Sequence, residues 1–219
     1  MVMWRPWSPL VLALALAGAP LAGQEFNEFC RGNPRLAVGQ WSSYRYIGGP
    51  SDGSTMRMAI VSSERQGDSV FLWYELKFDD GRHADRGSNI TQILVSGLGT
   101  PDFSIHGIVT KVGNRGAMRA PDMMVQMMAG PIKKGVGGMI EQKCKKGAVQ
   151  VVGWEVVQVP GGSFRALHFK DGEDEAWLSN QLAFSLVRFV SPRNGTMELT
   201  GHGGDAKSSI SETPQSMMH

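Results

Sequence analysis

Cysteine is nearly absent from this chain: two residues, Cys30 and Cys144, among 219. That excludes a disulfide-dense scaffold, and the lack of a Cys-X-X-Cys spacing leaves redox catalysis with little support. Charge of one sign is missing too, with 22 basic residues against 20 acidic ones. A near-neutral balance gives no reason to expect nucleic acid or an anionic membrane as the main partner. Beyond residue 23 no apolar run is long enough for a transmembrane helix. A membrane β-barrel is not expected either, because Gly203 to His219 is polar where such barrels close on an apolar strand. Catalytic motifs are also lacking. His83, His106, His168, His202 and His219 stand in no recognised motif with a serine, cysteine or carboxylate. Gly135-Val-Gly-Gly138 lacks the strand and the Lys-Ser/Thr of a phosphate loop. The expectation is a protein that is not an enzyme and carries no cofactor.

What is present begins with a leader. Arg5 supplies a positive start, Leu10 to Ala19 is apolar, and small residues follow. That order reads as a secretory signal peptide over residues 1–23, too short in its apolar core to span a bilayer. Pro20 disfavours cutting after Ala19, which puts cleavage near Leu21-Ala-Gly23. The site resembles a bacterial lipoprotein box, but Gln24 stands where the lipidated cysteine would be. The mature protein is therefore expected to be soluble, periplasmic or extracellular. Removing Arg5 with the leader leaves 21 basic residues against 20 acidic ones. Roughly 195 residues remain, enough for one domain with a sizeable core. The divisions are a β-rich domain over 24–205 and a polar C-terminal tail over 206–219. Export makes a Cys30–Cys144 disulfide plausible, worth about 4–5 kcal/mol in the chain-entropy model. Two buried free thiols are the alternative.

The patterning is that of strands. The clearest stretch is Val149 to Lys170, where two runs of strand formers flank Pro160-Gly-Gly-Ser163. Proline presets φ at the second position of a turn and glycine accepts the positive φ a type II turn needs next. Ser69 to Phe78 alternates through Val70, Leu72, Tyr74, Leu76 and Phe78, and Met56, Met58 and Ile60 share one face of the strand before it. An aromatic strand with Trp41, Tyr44 and Tyr46 comes first. Further strands are expected at 89–98, 105–112, 173–178, 184–190 and 196–200, nine or ten in all, with an edge strand at 208–211 and fraying after it. A short helix is expected at Gln24 to Arg31. Asp79, Asp80, His83 and Asp85 match no calcium loop and read as turn chemistry, so no metal site is expected there. His168, on a predicted strand, reads as a satisfied half-buried histidine.

One segment departs from this pattern. Asp122 can cap a helix of about two turns through Met123, Met124, Val125, Met127 and Met128, which Gly130-Pro131 should stop. Lys133, Lys134, Lys143, Lys145 and Lys146 follow as a basic patch. The methionines admit three readings: core packing of a short helix, an adaptable apolar contact surface, or soft ligands for Cu(I). Histidine is missing from residues 113–140, which weakens the copper reading.

Val159-Pro-Gly-Gly-Ser-Phe164 with Ala166, followed by Trp177-Leu-Ser179 and Leu186-Val-Arg188, resembles the Val-Pro-Ala-Gly-Thr-Phe-type hairpin and returning strands of small exported bacterial β proteins. In its whole order the chain is similar to the LolA/LolB-like periplasmic lipoprotein carriers. That resemblance implies a mainly β fold: a strongly curved antiparallel sheet, an open half-barrel, with a short helical segment covering the concave face. It also implies a non-enzymatic carrier for an apolar ligand, a lipid or the acyl chain of a lipoprotein. Trp41, Phe71, Trp73 and Trp154 are then candidate wall residues, and Met124, Met127 and Met128 belong to the cover. A cell-envelope structural or interaction module with a protein partner is the alternative. The mature chain is expected to begin at Gln24, and the mass of its N-terminal peptide checks this; a diacylglyceryl adduct would overturn it. Thiol titration of the denatured, unreduced protein should find no free cysteine.

Overall fold

Period-2 patterning over so much of the chain calls for strands, and both halves of the molecule deliver them into one sheet. The computed structural model describes residues 36–67, 69–98, 103–132 and 150–217. The leader, Cys30, Cys144, the expected helix at 24–31 and the lysine patch lie outside the described residues. The strands are β1 Trp41–Ile47, β2 Thr55–Gln66, β3 Ser69–Asp79, β4 Asn89–Ser96, β5 Ser104–Val112 and β6 Met118–Arg119. Helix α1, Asp122–Ile132, divides them from β7 Gln150–Val159, β8 Gly162–Asp171, β9 Asp174–Leu178, β10 Leu186–Ser191, β11 Gly195–Gly203 and β12 Gln215–Ser216. The spatial order is β12-β6-β5-β4-β3-β2-β1-β11-β10-β9-β8-β7. Two meanders therefore meet where β1 pairs with β11. The result is mainly β: an open, curved sheet with one helix among the described residues. No described helix is long and apolar enough to cross a membrane.

Every neighbouring pair is antiparallel except β12 on β6, which is parallel. These two strands, of two residues each, account for the excess over the nine or ten expected. No pattern can announce a strand so short. The expected edge strand at 208–211 is not a strand. Register breaks at Ser43/Tyr44, Ile60/Ser62, Leu94/Val95, Val151/Gly153 and Leu186/Arg188 bend the ladder. Each such irregularity adds local twist, and together they curl the sheet.

The central strands are buried on both sides. Tyr74 on β3 faces Ile93 on β4, which faces Ile108 on β5. This surface packs with Ile60, Val95 and Phe103 against Val125 and Met124 of α1. The helix starts where the Pro121 carbonyl accepts the Met124 and Val125 amides. It runs through Gly130 and Pro131 to Ile132 rather than stopping before them. A proline in the last turn removes one amide bond without forcing the chain out of helical φ. The opposite surface carries Phe71 and Trp73 with Ala59, Val61, Leu94 and Val109, and Ala206 and Ile210 of the C-terminal segment pack on it. That segment, expected to fray beyond Ser211, is ordered as far as Met217.

The β7–β8 hairpin is tighter than its sequence implies. Val159 pairs with Gly162, so only Pro160 and Gly161 form the loop, and the positive φ falls on Gly162 rather than Gly161. Gly161 serves a different end. Its amide donates to the Leu199 carbonyl at 2.9 Å, and a Cβ there would lie 2.9 Å from Leu199 Cγ. The hairpin tip thus folds back onto β11, closing over Tyr44, Val157, Phe164, Ala166, Val187 and Leu199. Leu199→Ala is expected to lower stability by about 2–5 kcal/mol through the cavity it leaves. Gly161→Ala is expected to lower it by about 1–3 kcal/mol through overpacking. Denaturant midpoints measure both, and a neutral Gly161→Ala would contradict the tip contact.

Candidate functional site

Glu75 lies in the middle of β3 with no solvent exposure, on the face shared with Trp73 and Phe71. A buried carboxylate must be hydrogen-bonded or it destabilises the fold. Gln92 Nε2 donates to it at 2.8 Å, the Ser209 amide at 2.9 Å and the Ser209 hydroxyl at 2.7 Å, and Arg57 Nη1 stands 3.7 Å away. Two of its donors thus come from the C-terminal segment, which crosses the sheet as a strap. Gln92 Nε2 also reaches Ser208 Oγ at 2.7 Å. Farther out, Trp41 Nε1 donates to Asp205 at 2.7 Å and Lys111 Nζ to Glu212 at 2.7 Å. The Trp41 hydrogen bond holds the Asp205 carboxyl below its usual range, and Lys111 does the same for Glu212. Backbone bonds fasten the ends: Ala206 to the Gly39 carbonyl, Gln215 to Ala117 and Met217 to Arg119.

Beneath the strap lies a trough of aromatic and aliphatic side chains with two cations over its rings. The Arg57 guanidinium sits 5.4 Å from the Trp41 ring centre and that of Arg119 5.6 Å from Trp73. Trp73 Nε1 donates to Glu64 at 2.7 Å. The strap fills this trough incompletely. A cleft of about 170 Å³ remains, lined by Val61, Glu64, Trp73, Arg119, Ile210 and Pro214 among others. That is below the roughly 300–1,000 Å³ of ordinary ligand pockets.

A second arrangement crosses the other half of the sheet. Arg45, Glu198, Arg188, Trp177 and His168 are successive cross-strand partners on β1, β11, β10, β9 and β8. Arg45 Nη2 meets Glu198 at 2.5 Å, Arg188 Nη2 meets it at 3.6 Å, and the Arg188 guanidinium lies 6.0 Å from the Trp177 ring centre. His168 stacks on Trp177 with ring centres 4.3 Å apart. Its Nδ1 is 3.0 Å from Glu155 and its Nε2 2.7 Å from Glu175. Glu155 also accepts the Trp177 indole N–H. A hydrogen bond from Lys170, with His168 adding to it, holds Glu175 below the usual carboxylate range. His168 is thus satisfied, as its sequence context implies, and buried rather than half-buried. Spacing along the chain could not reveal the row, because each member sits on a different strand. The same holds for Ser96 and His106, whose Oγ and Nε2 are 2.9 Å apart on β4 and β5. No carboxylate among the described residues orients that imidazole, so the pair lacks the third member of a nucleophilic triad.

The seven expected ligand residues fall in four places. Trp41, Phe71 and Trp73 share the strap-covered trough. Met124 packs against the opposite face of the sheet, under α1. Met127 and Met128 point outward, 67% and 40% exposed, beside Met123 at 67%. Trp154 lies on the outermost strand β7, under the Arg165 guanidinium at 4.5 Å. The four methionines considered for Cu(I) are thereby divided between core and surface. In the 79–87 connection Asp79 accepts the Ser88 hydroxyl and Asp80 the Arg82 amide, which is turn chemistry. No group of three metal-ligating His, Cys, Asp or Glu side chains occurs among the described residues.

No known family and no curated protein matches the chain. Two solved structures are similar to it. One is described as an exported protein with a YmcC-like fold from Bacteroides fragilis, at 10% identity and a TM-score of 0.35. The other is described as a lipoprotein from Parabacteroides distasonis, at 11% identity and a TM-score of 0.34. Each likeness covers 78% of this chain and 98% of the other.

Asp205 and Glu212 have folded pKa values below their unfolded ones, so their contribution holds above the ordinary carboxylate range and is lost as the pH falls through the folded values. Acidification should therefore loosen the strap first. Hydrogen exchange of residues 206–216 is expected to rise at a higher pH than that of β3 and β4. Simultaneous loss of protection in both would count against a separately fastened strap. Glu75→Ala should release it at neutral pH, with a loss of about 1–3 kcal/mol for each donor left unpaired.

Proposed function

We propose that this is a non-enzymatic exported binding protein for an apolar ligand of the lipid or acyl-chain class, and that the ligand lies in the trough. The observation that carries this reading is the mismatch between trough and cover. A face bearing Trp41, Phe71, Trp73, Val61, Leu94 and Val109 is closed by a strap that contributes only Ala206 and Ile210 to the buried cluster. A cleft remains between them. The apolar walls suit a hydrocarbon chain, and Arg57 and Arg119 at the rings supply positive charge for an anionic head group. The cleft as it stands is too small for an acyl chain, so binding on this reading displaces part of the strap. The leader supports export.

A second reading is an interaction module of the cell envelope. Its support is the outward face of α1, where Met123 and Met127, one turn apart, are both 67% exposed. Unbranched, polarizable methionines adapt to varied apolar partners.

One experiment separates the two. Binding of cis-parinaric acid, whose fluorescence rises on burial, is expected to be saturable and to be displaced by palmitate. Trp73→Ala should weaken it about tenfold, whereas Met123→Gln with Met127→Gln should leave it unchanged; a tenfold loss corresponds to about 1.4 kcal/mol. Loss on the methionine side alone would move the ligand to α1. Absence of any saturable binding would overturn the carrier reading.

A further inference from the structure

The strap is joined to the body in a way that allows exchange. It leaves the end of β11 at Gly203-Gly204, and a Cβ at Gly204 would meet nothing within 4 Å. Its far end holds β6 through a two-residue parallel pairing. Between the ends, apart from one backbone bond from the Ala206 amide to the Gly39 carbonyl, the bonds to the body involve a side chain on one partner or the other: Asp205 to Trp41, Ser208 to Gln92, Ser209 to Glu75 and Glu212 to Lys111. Three of these four depend on a carboxylate. With the strap away, Glu75 and Gln92 lose partners and Trp73, Phe71 and Val109 lose their cover. Such a surface must be covered again, and the segment whose chemistry matches it at every contact is the strap of another copy.

We propose that the trough is an exchange site for a second copy of this chain, in which the C-terminal strap of one molecule seats in the trough of the other and the reverse. The dimer repeats every contact of the monomer and differs only at the Gly203-Gly204 hinge. Opening lifts the four side-chain anchors, the Ala206–Gly39 backbone bond and the short β12 pairing, so the barrier falls when the Asp205 and Glu212 carboxylates are protonated. Exchange does not require the trough to hold a ligand, and its failure leaves the carrier reading standing.

The Lys111–Glu212 ion pair, 2.7 Å apart, provides a built-in reporter, because a carbodiimide joins such a pair directly. Nitrogen-15-labelled and unlabelled mature protein are mixed in equal amounts and acidified below the carboxylate range. The mixture is returned to neutral pH, separated by size and cross-linked. A parallel sample is concentrated at neutral pH without the acid step. A dimer fraction is expected after acidification, in which about half of the joined Lys111–Glu212 peptides carry one label on each side, as random pairing of copies requires. Monomer alone from both samples would overturn the proposal. So would dimers whose Lys111–Glu212 peptides always carry a single label.

Discussion

The buried carboxylate of Glu75 constrains more of this molecule than any other single group. It occupies a position on β3 that alternation assigns to one face, among Trp73, Phe71 and Leu94, where an unpaired charge would be strongly destabilising. The fold answers it with Gln92 from the neighbouring strand and with Ser209 from more than a hundred residues away in sequence. Once Ser209 is drawn in, the strap must cross that face. Ala206 and Ile210 then cover the trough, and residues 215–216 reach the edge of the sheet beside β6. The parallel edge pairing follows from the direction in which the strap has to run.

Covering both faces of β3 and β4 changes what an open curved sheet can do. A half-barrel with one solvated face would leave its concave side as the only place for a ligand. Here α1 closes one side and the strap the other, and the two covers differ in quality. The helix places Val125 among large apolar side chains of the buried cluster. The strap is held by polar contacts over an aromatic trough and leaves a cleft. The weaker cover is the one that can yield, which is why both the ligand reading and the exchange of straps centre on it.

The second half of the sheet is held by other means. Cross-strand neighbours from Arg45 to His168 alternate cation, carboxylate, cation and stacked rings. Each contact is modest by itself, as cross-strand pairs are, but the row ties five strands together on one surface. On the hairpin side Gly161 lets the β7–β8 tip press against Leu199. The approach of the tip to β11 thus rests on a residue with no side chain at a point where a Cβ would collide with Leu199.

Local chemistry was legible in the sequence wherever one strand or one turn sufficed to express it. Alternation in β3, the Pro-Gly turn, the helix start at Asp122 and the satisfied state of His168 could each be read from a few neighbouring residues. The mainly β class follows from these, since period-2 runs cannot bury their apolar side as helices. Trp41, Phe71 and Trp73 could be chosen as wall residues from type alone, but which face they share, and that Met124 lies on the other, depends on strand register. The burial of Glu75 is a tertiary fact: along the chain it is one acidic residue in an alternating strand. The same is true of the strap, whose polar residues look like a frayed tail until their hydroxyls and carboxylates are set against Gln92, Trp41 and Lys111. Sequence determined what each segment could form by itself. The pairing of distant polar groups in a dry interior, which no local pattern encodes, decided how those segments cover one another.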